Sequence, residues 1–461
     1  MLKNQIATAN LNNTSGSTAL LGARTDKDAP VVAKLREAGV IILGTASMTQ
    51  WGNNRDVDSG DGWSAHGGQV KGVYFDKQNP WGSSSGCAVA TAIGLTFAGI
   101  GTEVEGSITC AAERSNLCGL KPTAGLVTRD LVMLSKRLGT IGPITRCVKD
   151  SATILNVIAG KCPGDPGTQA IPFETVPDYV GFCIPDGLRG AGIGVPRNAL
   201  KGNPPCAELT QPISDAFEAH LDVLQDLGAT VIDTSFEAFD EVLTSKSPAV
   251  AKAADFKADL ANYLNKLTHN PHGIHTLADV VRYTQAEPKE EYQSRPTRSF
   301  ENALAAIDDR ESNEYKAALQ YSDWLANEGG IGGALKAHHL DALVLPTCVS
   351  PIVPALGGYP IISVPLGFLP DDWPSKWNSR KELITDGPGC QYVSRKHAEP
   401  VVVSNADILS SFGISFIGDR FADGNIIQYA YAFEQRTQIG KTRKPCVMPK
   451  SELRWKSRAS F

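Results

Sequence analysis

The chain has 461 residues, of which 42% are hydrophobic and 20% charged, and its formal net charge at pH 7 is −5. This composition excludes a disordered or fibrous chain, and no basic run indicates a nucleic-acid partner. The first residues are polar and no run approaches 18 consecutive apolar residues, which predicts a soluble protein without signal peptide or membrane span. The ten cysteines are scattered without a CxxC pair, which is typical of reduced thiols and predicts a cytoplasmic location.

Two helix–strand pairs indicate the fold class. The first is a helix over residues 28–39, with Asp28 as its N-cap, followed by a buried strand over residues 40–43. The second is a helix over residues 208–227 and a strand over residues 229–232. Further strands are predicted at residues 192–195, 340–345 and 361–364. Helices that alternate with short apolar strands predict an α/β fold.

Composition also predicts the character of three longer segments. Residues 53–81 are polar and rich in Gly and Asp, which predicts a long surface loop. Residues 235–335 are charged and helical in pattern with little strand signal, which predicts a helical cap. Residues 357–368 and 413–437 are predicted to be core strand and helix.

Three histidines occur at three-residue spacing within the predicted cap. They are His269, His272 and His275, and Pro271 and Gly273 stand between them. Proline and glycine break any helix that could align the imidazoles on one face, so we expect a loop there and no metal site.

Two serine-bearing glycine loops flank a segment of small residues. The first loop is GSSSG over residues 82–86, the second is EVEGS over residues 103–107, and residues 87–98 between them predict a tightly packed helix. A glycine-rich backbone lets amide groups approach an anion or a developing oxyanion. The candidate oxyanion-hole donors are therefore the amides around Val104, Glu105, Gly106 and Ser107.

These loops and two later motifs resemble the amidase signature family. The matching sequences are GSSSG at residues 82–86, GTEVEGSI at 101–108, GLKPTAGLVTR at 119–129 and GPITR at 142–146. The chain is most similar to the branch that contains fungal amidases and bacterial peptide amidase, in which the second motif commonly reads GTETDGSI. The resemblance covers most of the chain.

The resemblance implies a single amidase signature domain over residues 1–461. In that fold a central mixed β-sheet is covered by helices on both faces. The core motifs would occupy about residues 80–160, and the helical cap over about residues 235–335 would line the substrate cleft.

The resemblance also implies hydrolysis of an amide C–N bond by a Ser-Ser-Lys triad through an acyl-enzyme, without cofactor or metal. The family's nucleophile corresponds to Ser107, and its bridging serine, usually preceded by a cis peptide, corresponds to Ser83, 24 residues earlier. The family's lysine lies in a Lys-Asp-Asn motif, and the matching segment is Leu2-Lys3-Asn4-Gln5-Ile6, so Lys3 is the implied base. Relatives normally carry a helical region before this motif, so a shortened N-terminus is implied too.

A lysine base needs a special environment. A free lysine, with a pKa of about 10.4, is neutral in roughly one molecule in two to three thousand at pH 7. Lys3 must therefore be desolvated or lie near positive charge, and we expect Leu2 and Ile6 to bury its segment as a strand. The hydroxyl of Ser83 can then pass a proton from Ser107 to the lysine and return it to the leaving amine.

Two other functions remain open on these residues. GSSSG also satisfies G-x-S-x-G, which would make Ser84 the nucleophile of an α/β-hydrolase esterase, but that motif requires a preceding hydrophobic strand and here Pro80 and a polar run precede it. The second alternative is a catalytically inactive or partner-dependent amidase-like protein. It rests on departures from the family's pattern at Asn4, Gln5, Thr45 and Gly139.

The residues after the nucleophile bear on the substrate. Thr109 stands where many relatives carry arginine, so the sequence does not predict a clamp for a substrate carboxylate. We expect a neutral amide, aliphatic, aromatic or peptidyl, as the substrate, and neither a nucleic acid nor a membrane as a partner.

Overall fold

The structure is a computed structural model that describes residues 1–56, 59–75, 78–201, 209–307, 309–370, 375–377, 383–385 and 410–446. Its strands are β1 (Leu2–Lys3), β2 (Thr45–Ala46), β3 (Trp63–Ser64), β4 (Gly68–Gln69), β5 (Gly99–Glu103), β6 (Cys118–Lys121), β7 (Thr140–Thr145), β8 (Gly192–Pro196), β9 (Thr230–Thr234), β10 (Ala342–Pro346), β11 (Ile361–Phe368), β12 (Ser375–Trp377), β13 (Leu383–Thr385) and β14 (Ser411–Ile417). Its α-helices are α1 (Pro30–Glu37), α2 (Ser85–Ala92), α3 (Thr109–Arg114), α4 (Val148–Ile158), α5 (Gln211–Asp226), α6 (Phe239–Thr244), α7 (Ser247–Leu264), α8 (Leu277–Ala286), α9 (Arg298–Ala305), α10 (Asn313–Ala326), α11 (Ile331–Ala337), α12 (Ile352–Gly357) and α13 (Asp423–Thr437).

Ten of these strands form one mixed sheet in the order β2-β1-β5-β7-β6-β11-β14-β10-β8-β9. β1 pairs in parallel with β2 and β5, and β8 pairs in parallel with β9 and β10. The strands from β5 to β10 along this order pair antiparallel. The predicted central mixed sheet is therefore confirmed. β3 with β4, and β12 with β13, form two separate two-stranded ribbons.

Both faces of the sheet are buried. Ile361 of β11 and Ile417 of β14 belong to a hydrophobic cluster with α11, whereas their neighbours Ile362 and Phe416 belong to a second cluster with α13. Successive side chains of a strand point to opposite faces, so this alternation places helices on both sides of the sheet. The predicted covering of both faces by helices is confirmed.

Most of the predicted elements lie where the sequence indicates. The strands predicted at residues 192–195, 229–232, 340–345 and 361–364 are β8, β9, β10 and β11, and the helix predicted over 208–227 is α5. The two core segments near the C-terminus form β11, β14 and α13. The described residues of the predicted cap form helices α6 to α10 and the start of α11, without a strand.

The first predicted helix begins differently from its prediction. α1 starts at Pro30, and its N-cap residue Ala29 makes no side-chain cap bond. Asp28 is therefore not the N-cap. Its carboxylate instead accepts hydrogen bonds from the Ala9 amide and from Arg36 of α1, and so joins the helix to the N-terminal segment.

Two further element predictions are wrong at their boundaries. Residues 40–43 are not a strand, and Ile41 and Leu43 are 81% and 61% exposed. The chain joins the sheet only at β2, an edge strand, so these apolar residues precede the buried layers. The helix predicted over residues 87–98 is α2, which ends at Ala92 because the chain turns at Gly94 with a φ of +73°.

The prediction of a surface loop over residues 53–81 is also wrong. This segment contains the ribbon of β3 and β4, and the side chains of Arg55 and Trp63 are buried. Arg55 forms an ion pair with Glu290 of the cap, with 3.2 Å between Nη1 and Oε2, and both side chains are fully buried. Burial lowers the pKa of Arg55 to about 10, so it still carries its charge at neutral pH.

Glu290 joins three distant parts of the chain. Its carboxylate accepts hydrogen bonds from Ser17 and Thr18 near the N-terminus, from Gln50, and from Arg55. Composition alone could not reveal that the polar residues around position 55 are buried, because their carboxylate partner lies 235 residues away in the sequence.

The loop predicted for the three histidines is confirmed, since residues 265–276 lie between α7 and α8. Within the described ranges, no group of three or more His, Cys, Asp or Glu residues is arranged to hold a metal ion. None of the described helices combines the length and the apolar character that crossing a bilayer requires.

Replacing Glu290 by Gln is expected to lower the free energy of unfolding by about 3–5 kcal/mol, because it leaves the buried Arg55 guanidinium without a counter-charge. Urea denaturation measures this change. The control is Glu291→Gln, which removes a half-exposed carboxylate paired with Arg295 and is expected to change stability by less than about 1 kcal/mol. Equal effects of the two substitutions would contradict a structural role for the buried pair.

Candidate active site

The short strand β1 buries Lys3 inside the sheet. β1 lies between β2 and β5, and both Leu2 and Ile6 are fully buried, as predicted. The Lys3 side chain has no solvent exposure. Its Nζ lies 2.7 Å from Ser83 Oγ, 2.9 Å from Thr102 Oγ1 and 3.0 Å from the Thr102 carbonyl oxygen, which makes it a fully hydrogen-bonded amine in the core.

The two predicted serines continue this chain of contacts. The peptide bond between Gly82 and Ser83 is cis, which the resemblance implied. Ser83 Oγ lies 3.0 Å from Ser107 Oγ, across the interval between the two glycine loops. The structure therefore brings Lys3, Ser83 and Ser107 together in one unbroken chain of hydrogen bonds.

Burial changes the protonation of Lys3. Desolvation of the ammonium group lowers the pKa of Lys3 from 10.5 to about 7, while the charge of Glu103 opposes this change. Cys87 lies close enough to oppose it as well, but burial raises the pKa of the Cys87 thiol to about 11. An uncharged thiol contributes nothing at neutral pH, so a large fraction of Lys3 is the free amine there.

Glu103 supports the loop that carries Ser107. Its buried carboxylate accepts hydrogen bonds from the amides of Gly106, Ile108 and Thr109 at 2.6 to 2.8 Å, and from the Thr109 hydroxyl. One carboxylate therefore holds the backbone on both sides of the serine. Gly106 has a φ of +69°, a conformation that favours glycine at this turn.

The same contact corrects one of the predicted oxyanion-hole donors. An amide has a single N–H, and that of Gly106 already donates to Glu103 at 2.8 Å. The amides of Val104, Glu105 and Ser107 donate to no group in the part of the chain that the structure describes. The amides left to receive an oxyanion are therefore these three.

Ser84 lies in a different environment from Ser107. Its hydroxyl is buried and contacts the backbone of Thr102, and its amide donates to the Ser107 carbonyl oxygen. It follows a cis peptide and a polar segment, and no strand of the structure precedes it directly. This geometry gives no support to the esterase interpretation with Ser84 as nucleophile.

A cleft of about 600 Å³ opens beside Ser83 and Ser107. Its floor is built from the two glycine loops, and one wall comes from the segment over residues 133–138. The opposite wall comes from the predicted cap, mainly from α7 and α9. The cap residues on the cleft are Phe239, Lys246, Ala249, Val250, Lys252, Ala253, Phe256, Ser299, Asn302, Ala303 and Ala306.

Two residues of the site were missed by reasoning from the sequence. Thr102 receives two hydrogen bonds from Lys3, and Glu103 positions the nucleophile loop. Both belong to the motif that contains Ser107, so the signal was present. The sequence does not show which side chain of that motif turns toward a lysine about 100 residues earlier.

Comparisons with known proteins agree with this geometry. A family model described as Amidase matches residues 1–374. A relative from the fungus Arthroderma benhamiae, whose given name classes it with the amidases, is 43% identical over 459 residues, which are 98% of this chain and 73% of the relative. The solved structure of the peptide amidase from Stenotrophomonas maltophilia matches with a TM-score of 0.80 at 32% identity, over 96% of this chain and 82% of that one. One component of the glutamyl-tRNA(Gln) amidotransferase from Moorella thermoacetica is 26% identical over 464 residues, which are 96% of this chain and 83% of that protein.

Replacing Glu103 by Gln is expected to lower the free energy of unfolding by about 1–3 kcal/mol, because an NH2 group replaces an oxygen that accepts buried amides. Thermal or chemical denaturation measures the change. Glu105→Gln is the matched control, since Glu105 is partly exposed on the same loop and we expect a change within about 0.5 kcal/mol. If Glu103→Gln were as stable as the control, Glu103 would not hold this loop.

Proposed function

Because the chain belongs to the amidase family and is therefore an amide-hydrolysing enzyme, we propose that it works through Ser107 as nucleophile, Ser83 as proton relay and Lys3 as base. The observation that carries this proposal is the chain of hydrogen bonds from Lys3 Nζ through Ser83 Oγ to Ser107 Oγ, at 2.7 and 3.0 Å.

The hydrogen-bond partners of Lys3 suit a neutral amine. Such an amine has two N–H groups and one lone pair. The carbonyl oxygen of Thr102 can only accept, and its hydroxyl oxygen also lies within reach, so both N–H groups can point to Thr102. The lone pair is then directed at the hydroxyl of Ser83, which in turn accepts from Ser107. This arrangement draws the proton of Ser107 toward Lys3 as its oxygen attacks the amide carbon.

The same relay works in reverse when the amine leaves. In the tetrahedral intermediate the Ser83 hydroxyl gives its proton to the leaving nitrogen while the C–N bond breaks, and the Lys3 ammonium replaces that proton. The acyl group stays on Ser107 as an ester. Water then attacks this ester with the same base, which releases the acid and the free serine.

The amides of Val104, Glu105 and Ser107 complete the proposal. The carbonyl oxygen of the substrate gains negative charge during attack, and unpaired backbone N–H groups beside the nucleophile can stabilise it. Removal of one such donor typically costs a factor of about a hundred to a thousand in rate. The Gly106 amide serves the loop itself.

The cleft suits a neutral amide. Its described lining residues include no arginine, and Thr109 turns its hydroxyl toward Glu103 and not toward the cleft. The apolar cap wall accommodates aliphatic, aromatic or peptidyl acyl groups. The peptide amidase of Stenotrophomonas maltophilia supports the inclusion of peptidyl amides.

The departures from the family's pattern do not interrupt the proposed relay. Asn4 binds the Thr14 amide through its side chain, and Gln5 binds Thr102 and Met133. Neither residue displaces Lys3 from Ser83. No observation in the described site favours an inactive or partner-dependent protein over an active amidase.

A fluorophosphonate probe is expected to label Ser107, and Ser107→Ala should abolish both labelling and the release of ammonia from a panel of simple amides. Ser84→Ala is the control for a neighbouring serine hydroxyl and should still be labelled at Ser107. Labelling at Ser84 in the wild-type protein would favour the esterase interpretation.

The kcat/KM for amide hydrolysis should rise with pH and level off above a midpoint of about 7, because the base is active only as the free amine and its neutral fraction grows as pH passes its pKa. Lys3→Ala should lower the rate by several orders of magnitude and remove this rise. Lys121→Met is the control, since Lys121 is also fully buried, with a pKa lowered to about 8, but contacts backbone carbonyls away from Ser83. Equal activity of wild type and Lys3→Ala, well above background, would contradict the assignment of the base.

A further inference from the structure

Gln5 presents an unpaired acceptor beside the proposed relay. Its side chain is 1% exposed, and its Nε2 donates to Thr102 Oγ1 and to the Met133 carbonyl oxygen, both at 2.9 Å. A carbonyl oxygen can only accept, so the contact with Met133 sets the orientation of the carboxamide. The other end of the group, Oε1, is buried and has no hydrogen-bond partner among the described residues.

This oxygen and the relay hydroxyl border the same small space in the cleft. Gln5, Gly52 and Ser83 all line the cleft. A Cβ added at Gly52 would lie 3.4 Å from Gln5 Oε1 and 3.9 Å from Ser83 Oγ. The space is open because residue 52 is a glycine, which also allows its φ of +65°.

The proposed mechanism brings the leaving nitrogen to this space. Ser83 must protonate that nitrogen, so the nitrogen has to lie within hydrogen-bond distance of Ser83 Oγ. A buried acceptor without a partner is destabilising, and each such group in a native structure calls for an explanation. A ligand N–H directed at Gln5 Oε1 supplies the missing partner.

We infer that Gln5 Oε1 accepts a hydrogen bond from the leaving nitrogen, so that the enzyme selects primary carboxamides and releases ammonia. This inference rests on the proposed function, because it requires Ser83 to be the group that protonates the leaving nitrogen.

The chemistry of the step explains the selectivity. A primary amide nitrogen carries two hydrogens, and the proton from Ser83 makes it ammonia as the C–N bond breaks. One of its N–H groups can point to Gln5 Oε1 throughout. In an N-alkyl amide one hydrogen is replaced by carbon, and a carbon turned into this space contacts the oxygen and leaves it unpaired. In an ester the leaving oxygen carries no N–H, so Gln5 can make no such bond.

The test compares three substrates with one common acyl group: the primary amide, the N-methylamide and the methyl ester. In Gln5→Met, which keeps the length of the side chain but removes the acceptor, the ratio of kcat/KM for primary amide to that for ester should fall about tenfold or more. Asn302→Ala, on the cap wall of the cleft, is the matched control and should leave that ratio within about twofold of wild type.

A second measurement needs no variant. The wild-type enzyme should favour the primary amide over the N-methylamide by about tenfold or more beyond the ratio of their alkaline hydrolysis rates. Equal preference would overturn the inference, and so would an equal loss of amide and ester hydrolysis in Gln5→Met, which would show that Gln5 only positions Thr102 and Lys3. A wild-type protein that a fluorophosphonate does not label at Ser107 would instead remove the proposed function, and this inference with it.

Discussion

A lysine amine without water is the constraint on which the rest of this structure depends. At about 1.4 kcal/mol per pKa unit, holding Lys3 near pKa 7 costs the folded protein roughly 4–5 kcal/mol at pH 7. The apolar anchors on both sides of Lys3, and the flanking strands β2 and β5, supply the packing that offsets this cost. Without that packing the amine would be hydrated, protonated and unable to accept a proton from Ser83.

Buried carboxylates perform a related task at two places in the molecule. Glu103 accepts three backbone amides around the nucleophile, and Glu290 accepts side chains from the N-terminal segment and from residues 50–55. In each case a charge in the interior is stabilised by several donors at once, and in return it fixes loops that have no regular hydrogen bonding of their own. The result is a rigid site built mostly from loops.

The chemistry and the recognition of substrate come from different parts of the chain. The proposed triad lies within residues 3–107, whereas much of the cleft wall comes from residues 239–306. Contacts between the two parts are polar: Arg137 pairs with Asp255 of α7, and the Lys136 amide donates to Asp259 of the same helix. The cap can therefore differ in its apolar lining without altering the groups that we propose to move protons.

The sequence alone determined the family, the mixed sheet with helices on both faces, and the three residues that the structure joins by hydrogen bonds. These predictions depend on local patterns, either the alternation of apolar residues or short motifs around Ser83 and Ser107. Tertiary structure decided the rest. The Gly106 amide is engaged by Glu103, Asp28 serves a neighbouring segment and not a helix cap, and Arg55 is buried because its partner is Glu290. Each of these outcomes depends on where a polar group finds its partner after the chain has folded, and no local pattern contains that direction.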